Sequence, residues 1–341
     1  MLARVVVALL LALALGCYDH TRPEPLPCTV TLAGHCWTSL GPTGKWITAV
    51  ALTPVGVLVG TKSDGVFRVD PSGGGWVSLG LAGRFITSIT ALPPPTNRLL
   101  VTAIPSAVPW PPDTISAVVY ASDDDGRTWY PHDGGLSADM GYFGYAYSLA
   151  FDNADGNRLY LGLPAAVMRS ADGGATWTTA VGNQQAPGGA VWCLAVSTRN
   201  PRRVWAAGQS VGQDPLVLRS DDRGNSWNQL TPSPYKEDAV FAIAPDPLAG
   251  DRLYAGMASG LRETEDAGVT WRLVLSPRLP GPITGLAVVS DSLVAVSDEL
   301  VPNSAPTRTV LGLYVTRNRG ASWDTLPVPP DATGAIGVAI S

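Results

Sequence analysis

The sequence predicts an all-β fold in which one antiparallel unit is repeated along the chain. Three observations carry this: a composition poor in helix formers, a turn signature recurring at near-even spacing, and short β-rich runs ahead of each copy. Of 341 residues only 15% are charged, against roughly 25% in an average soluble domain. Glycine and proline number 37 and 30. There are 5 Glu against 23 Asp, 3 Lys against 20 Arg, and 4 Met. Glu, Lys and Met furnish ordinary helix surfaces and interiors, whereas Gly, Pro and Asp punctuate turns. Helical bundles and helix-rich α/β folds are therefore disfavoured. A net charge of −5 without a basic cluster argues against sequence-independent nucleic-acid binding.

The chain opens with a positively charged residue, Arg4, and an apolar run that ends on small residues before Cys17. That is the layout of an export signal, too short to span a membrane. The junction Leu13-Ala14-Leu15-Gly16-Cys17 resembles the lipobox of bacterial lipoproteins, where the cysteine is diacylated and becomes the mature N-terminus. The resemblance implies a signal peptide over 1–16, lipidation at Cys17 and residence in the cell envelope. A plain secretory signal is the alternative. Residues 17–27 are polar and proline-rich, as suits a tether. Two acyl chains would anchor it stably where one would not. No apolar run beyond residue 16 approaches the ~20 residues of a spanning helix.

Three cysteines remain after Cys17. Cys28 and Cys36 are placed to bridge a hairpin in an oxidising compartment, a pairing left open by the sequence, and Cys193 sits in an apolar strand pattern as a buried thiol. With three histidines (His20, His35, His132) and no Cys-x-x-Cys pair, no metal site and no cofactor are expected.

Residues 28–341 read as a single repeat domain. Five segments align without gaps on [ST]-x-[DN]-x-G-x-[ST]-W. Their key positions are Asp124, Gly126 and Trp129; Asp172, Gly174 and Trp177; Asp222, Gly224 and Trp227; Asp266, Gly268 and Trp271; and Asn318, Gly320 and Trp323. A degenerate copy ends at Trp76, and from there the Trp-to-Trp spacings are 53, 48, 50, 44 and 52. Upstream of each copy lie two short strands, such as Ala242–Asp246 followed by Arg252–Gly256. Four strands per unit, repeated six or seven times, read as β-propeller blades. Six full units run from about Trp46 to Val328. The C-terminal strand Ala335–Ser341 and the N-terminal pieces Thr29–Leu32 and Trp37–Leu40 would make a split seventh blade, with six blades as the alternative.

The repeated turn resembles the Asp-box, or BNR, repeat of sialidases, sortilins and photosystem II assembly factors, over nearly the whole mature chain. In that family the turn joins the third and fourth strands, on the face away from the ligand. The resemblance implies that its carboxylates are structural. Local chemistry agrees: Asp or Asn can accept turn N–H groups, Gly supplies φ > 0, and Trp offers a large apolar surface between blades.

The opposite face gathers the loops from fourth to first and from second to third strands. Expected there as ligand-binding residues are Lys62, Arg84, His132, Asp133, Tyr142, Tyr145 and Lys236, centred on the long loop His132–Tyr147. All three lysines fall in this set of loops. Such an aromatic and charged rim suits a peptide or a carbohydrate. Three classes compete. A sialidase-like glycosidase would need a Tyr nucleophile, a Glu, an Asp acid/base and three Arg, plus an Arg-Ile-Pro motif that is missing. The xyloglucan-cleaving Asp-box enzymes use two Asp and two propellers, where one fits here. A non-catalytic scaffold for protein, peptide or glycan fits best and is expected to be a monomer. Should the chain prove a glycoside hydrolase, Glu237, Asp238, Asp298 and Glu299 are the acid/base candidates.

Overall fold

In a computed structural model the protein is described over residues 10–11, 30–32, 35–37, 45–54, 56–69, 75–93, 96, 98–105, 118–136, 146–164, 166–181, 189–210, 212–230, 238–275, 281–289, 292–298, 310–326 and 339–340. Among these residues there is no helix. They form six four-stranded antiparallel sheets, each a meander in sequence order. Sheet I holds Ile47–Thr53, Gly56–Thr61, Val66–Val69 and Trp76–Gly80. Sheet II holds Arg84–Ala91, Leu99–Pro105, Val119–Ser122 and Tyr130–Pro131. Sheet III holds Ser148–Asp152, Asp155–Leu163, Ala166–Ser170 and Thr178–Val181. Sheet IV holds Gly189–Val196, Val204–Ser210, Pro215–Ser220 and Asn228–Leu230. Sheet V holds Val240–Pro245, Leu253–Met257, Gly260–Thr264 and Arg272–Leu275. Sheet VI holds Ile283–Val289, Ser292–Asp298, Val310–Thr316 and Asp324–Leu326.

The first strand of each sheet packs against the first strand of the next, in order from I to VI. The short strand Ala339–Ile340 touches the first strands of both VI and I, so the circuit returns to its start. This is a β-propeller. Ala339–Ile340 pairs in parallel with Leu10–Leu11, inside the apolar run at the N-terminus. Val30–Leu32 and His35–Trp37 form a separate antiparallel hairpin.

Burial follows strand position. Second strands are covered on both faces: Val204 to Gly208 and Leu253 to Met257 are buried without interruption. Continuous apolar runs are what two-sided burial demands. Fourth strands, such as Thr178–Val181 and Asn228–Leu230, carry mostly exposed residues. The apolar core is accordingly divided into layers between neighbouring sheets. One layer joins Leu58 and Leu79 of sheet I to Ile86 and Val101 of sheet II. Another joins Trp205 and Val217 of IV to Val240 and Leu253 of V. Where sheets approach most closely the second strand carries glycine. A Cβ on Gly60 would sit 2.4 Å from Ile86 Cγ2, and one on Gly256 2.6 Å from the Ile283 carbonyl oxygen.

The repeated turn joins third and fourth strands in sheets II to VI. In the first copy the Ser122 hydroxyl donates to Asp124 Oδ1 (2.8 Å) and accepts the Gly126 N–H (2.8 Å). Asp124 accepts the Thr128 N–H (2.8 Å) and the Thr128 hydroxyl (2.6 Å). The Ser122 and Thr128 hydroxyls and the Gly126 and Thr128 N–H groups thereby find partners within the turn itself. Two consecutive residues are left-handed, the glycine and the residue before it. That predecessor is Asp125, Arg223, Ala267 or Arg319 in four of the five copies. The four turn carboxylates are held low, at a pKa of about 2. For Asp222 the chief cause is the hydrogen bond from the Ser226 hydroxyl.

The turn tryptophans lie between sheets. Trp177, 3% exposed, packs among Leu100, Leu159 and Leu161, and Trp227 against Val167 and Val181 of the preceding sheet. An arginine at the start of the second strand recurs as well. Arg98, Arg203 and Arg252 pair with Asp123, Asp221 and Glu265, each one residue past the Ser or Thr that opens the turn.

Candidate functional site

The face away from the repeated turns is built where first strands begin. In sheet I, Lys45 forms an ion pair with Asp64 in the turn between the second and third strands. That partner lowers the Asp64 pKa. Lys62 Nζ lies 3.9 Å above the Trp46 ring, and the Lys62 N–H donates to the Trp46 carbonyl (2.9 Å). Cation–π contacts are worth about 0.5–1 kcal/mol at exposed sites and about 2 kcal/mol when desolvated, and this pair is partly buried. Arg84 sits 5.2 Å from the Tyr120 ring.

Asp238 occupies in sheet V the place that Lys45 holds in sheet I, two residues ahead of the first paired residue of the strand. It is 3% exposed. Its Oδ2 accepts the Ser259 hydroxyl (2.6 Å), and its Oδ1 accepts the N–H groups of Ser259 (3.2 Å) and Ala239 (3.1 Å). The two positions do one job with different chemistry: each ties the chain entering the first strand to the turn after the second.

His132 and Asp133 lie elsewhere. His132 is 9% exposed, with Nε2 3.0 Å from the Gly173 carbonyl and 3.3 Å from Arg98 Nη1. Its own carbonyl accepts the Trp177 indole N–H. Asp133 Oδ2 accepts the Val118 N–H (3.2 Å), and Gly134 bridges to Thr176. The loop expected at the opposite face thus begins against the repeated turn of sheet III. The physical reason is the brevity of the fourth strand in sheet II, two residues long, which hands the chain to its neighbour at once.

Tyr142, Tyr145, Lys236, Glu237, Glu299, Cys17 and Cys28 fall outside the described residues. Asp298 ends the second strand of sheet VI, in register with Val310. Cys36 pairs across the N-terminal hairpin with Thr31. Cys193 is a free thiol whose pKa burial raises. Among the described residues no three His, Cys, Asp or Glu side chains are grouped to hold a metal ion.

One feature of this face escapes a period-two reading of the strands. In five sheets the first strand carries a β-bulge near its start, and the bulged residues are Thr48, Thr87, Trp192, Phe241 and Thr284. Tyr147 takes the corresponding place in sheet III, just before Ser148. Bulges re-aim side chains and gather at barrel rims and active sites. The Thr48 hydroxyl donates to the Ile86 carbonyl of the next first strand, and the Thr87 hydroxyl to that of Ala146 (2.6 Å). The rings of Trp192 and Phe241 stack, with centroids 5.5 Å apart and planes 15° from parallel. The six positions therefore form one row around the inner rim. Aligning the six first strands on their shared apolar positions would have exposed it.

No protein-family profile and no curated protein matches the chain. Solved structures do. The GH74 enzyme of Niastella koreensis matches over 83% of this chain and 45% of its own, at 16% identity and a TM-score of 0.62. The extracellular domain of the putative one component system BT4673 from B. thetaiotaomicron matches over 86% and 36%, at 12% identity and 0.58. YCF48 from Cyanidioschyzon merolae matches over 84% and 86%, at 13% identity and 0.56, and YCF48 bound to D1 peptide is also similar. The chain spans about a third to a half of the GH74 structures it matches. At these identities the likeness is one of fold, shared with GH74 enzymes, extracellular domains of putative one and two component systems and YCF48 alike. Among the described residues no helix is long and apolar enough to cross a membrane.

Proposed function

We propose that this protein is an exported, lipid-anchored propeller that acts as a non-catalytic binding or assembly scaffold for protein, peptide or glycan. The lipid is attached at Cys17, and the repeated Asp-box turns are structural. Ala339–Ile340 is the innermost strand of a seventh blade that closes the ring, a reading supported by its contacts with the first strands of VI and I. The ligand binds on the face where first strands begin.

The observation that carries the non-catalytic reading is Asp238. This carboxylate is buried and accepts three hydrogen bonds from its own chain, the arrangement of a strut, whereas a general acid or base works within hydrogen-bond reach of substrate. A glycosidase would further require a second carboxylate ~5–10 Å away across an open site. The test is the double variant Tyr142→Ala with Tyr145→Ala, screened against peptide and glycan libraries. Partner binding is expected to be lost with thermal stability nearly unchanged. Unfolding of the variant, or binding mapped to the face of the repeated turns, overturns the assignment.

A further inference from the structure

The geometry points to a binding site for a neutral oligosaccharide on the aromatic half of the bulge row, formed by Tyr147, Trp192 and Phe241 with Thr284 beside them. The proposal rests on the reading that ligands meet the face where first strands begin, and it names the ligand class.

The row divides by chemistry. Sheets III, IV and V present Tyr147, Trp192 and Phe241, while I, II and VI present Thr48, Thr87 and Thr284. The three aromatic residues are half-buried, whereas most large apolar side chains of the second strands are fully covered. Trp192 and Phe241 hold each other nearly parallel, so the platform is set before a ligand arrives and little side-chain entropy remains to be lost. Such rings present flat apolar area, and in Tyr and Trp a polar tip with it.

Thr284 supplies the second observation. It is 7% exposed, and among the described residues its hydroxyl oxygen is buried with no hydrogen-bond partner. Leaving such a group unpaired is destabilising. Thr48 and Thr87, at the same position in their sheets, both donate to the next strand. Among the described residues Thr284 departs from that pattern, and the next strand in its case is the one that carries Ala339–Ile340. A ligand ring set beside Phe241 would continue the stack toward Thr284.

The choice of saccharide over peptide follows from charge and amphipathicity. All six side chains of the row are uncharged. On the same face Lys45 is paired with Asp64, Lys62 lies over the Trp46 ring and Arg84 by the Tyr120 ring, so the row itself offers a peptide no ionic group. A pyranose is neutral, with an apolar C–H face for the rings and hydroxyls at its edge for threonine oxygens. A few placed polar groups beside apolar surface are how small-molecule sites set orientation.

The test is isothermal titration of the full chain with cellohexaose, xylohexaose and mannohexaose, with poly-L-proline as the uncharged peptide control. At least one hexasaccharide is expected to bind, and Trp192→Ala to weaken it at least tenfold. Because truncating Trp192 also removes packing, Phe241→Leu and Trp192→Phe are measured alongside. Phe241→Leu keeps volume but not the flat ring and should weaken binding severalfold, while Trp192→Phe should retain most of it. Binding of poly-L-proline alone, binding of none of the three sugars, or sugar binding indifferent to all three substitutions overturns the proposal. Peptide binding lost in the Tyr142/Tyr145 double variant but kept in Phe241→Leu would leave the scaffold reading standing and remove this one.

Discussion

The indole N–H of Trp177 donates to the backbone carbonyl of His132, 3.2 Å away and in the preceding sheet. The same histidine turns its Nε2 to the Gly173 carbonyl, so one residue of sheet II meets the turn of sheet III twice. Sheets II and III are therefore joined by apolar packing and by hydrogen bonds at one spot.

Removing that plug should be expensive. Trp177→Ala is expected to lower unfolding stability by roughly 3–5 kcal/mol, the usual penalty for a large buried aromatic. Urea denaturation followed by far-ultraviolet circular dichroism measures it. A loss below about 1 kcal/mol would mean that the indole is not a seal between sheets.

The turn carboxylates make a prediction about acid. Asp222 has a folded pKa of about 2, below its ordinary value of 3.8. A lowered pKa contributes stability above pH ~4, which is lost as pH falls through 2. Sheet VI already carries the non-titrating version. Asn318 accepts the Thr316 hydroxyl (2.7 Å) and the Ser322 N–H (2.9 Å), and its amide donates to the Ser322 hydroxyl (2.7 Å). Asp222→Asn should therefore fold normally and lose less stability than the parent between pH 4 and pH 2. Thermal melts across that window decide it, and an unchanged pH slope would refute the assignment.

Asp238 should behave as a strut. Asp238→Ala strips partners from the Ser259 and Ala239 N–H groups and is expected to cost about 1–3 kcal/mol. Asp238→Asn should recover part of that. Ligand affinity per folded molecule, read by calorimetry, is expected to stay within twofold. Retained stability with abolished turnover of a glycoside would instead make Asp238 an acid or base.

Anchoring is tested by Cys17→Ser. The mature parent should sediment with membranes and the variant should move to the soluble fraction. Persistent membrane attachment would contradict lipidation at this residue.

How much was legible depends on the range of the forces involved. The repeated turns were readable because Ser122, Asp124, Gly126 and Thr128 satisfy one another within a few residues. The second left-handed residue was not, since Asp125, Arg223, Ala267 and Arg319 have no common side chain to betray it. Trp192 and Phe241 look like core in an alternating strand, and only the bulge takes them to the rim. His132 was expected at the far face because the long loop His132–Tyr147 was assigned whole to the connection from fourth to first strand; in sheet II the fourth strand stops at Pro131, so that connection starts beside the turn of sheet III.

The partition of the apolar interior into layers bears on how this chain can change over generations. Each layer is walled off by a sheet on either side, so a substitution that swells or empties one layer asks for compensation only within that pair of sheets. Volume-conserving exchanges are tolerated best in such settings. Lineages can therefore rewrite one compartment at a time without passing through a globally misfitted intermediate. What resists rewriting is the stereochemistry of the turns, where Gly224 has a φ of 79° and a Cβ on it would sit 3.0 Å from the Tyr160 ring. A ring built this way can keep its shape long after its sequence has ceased to advertise its ancestry.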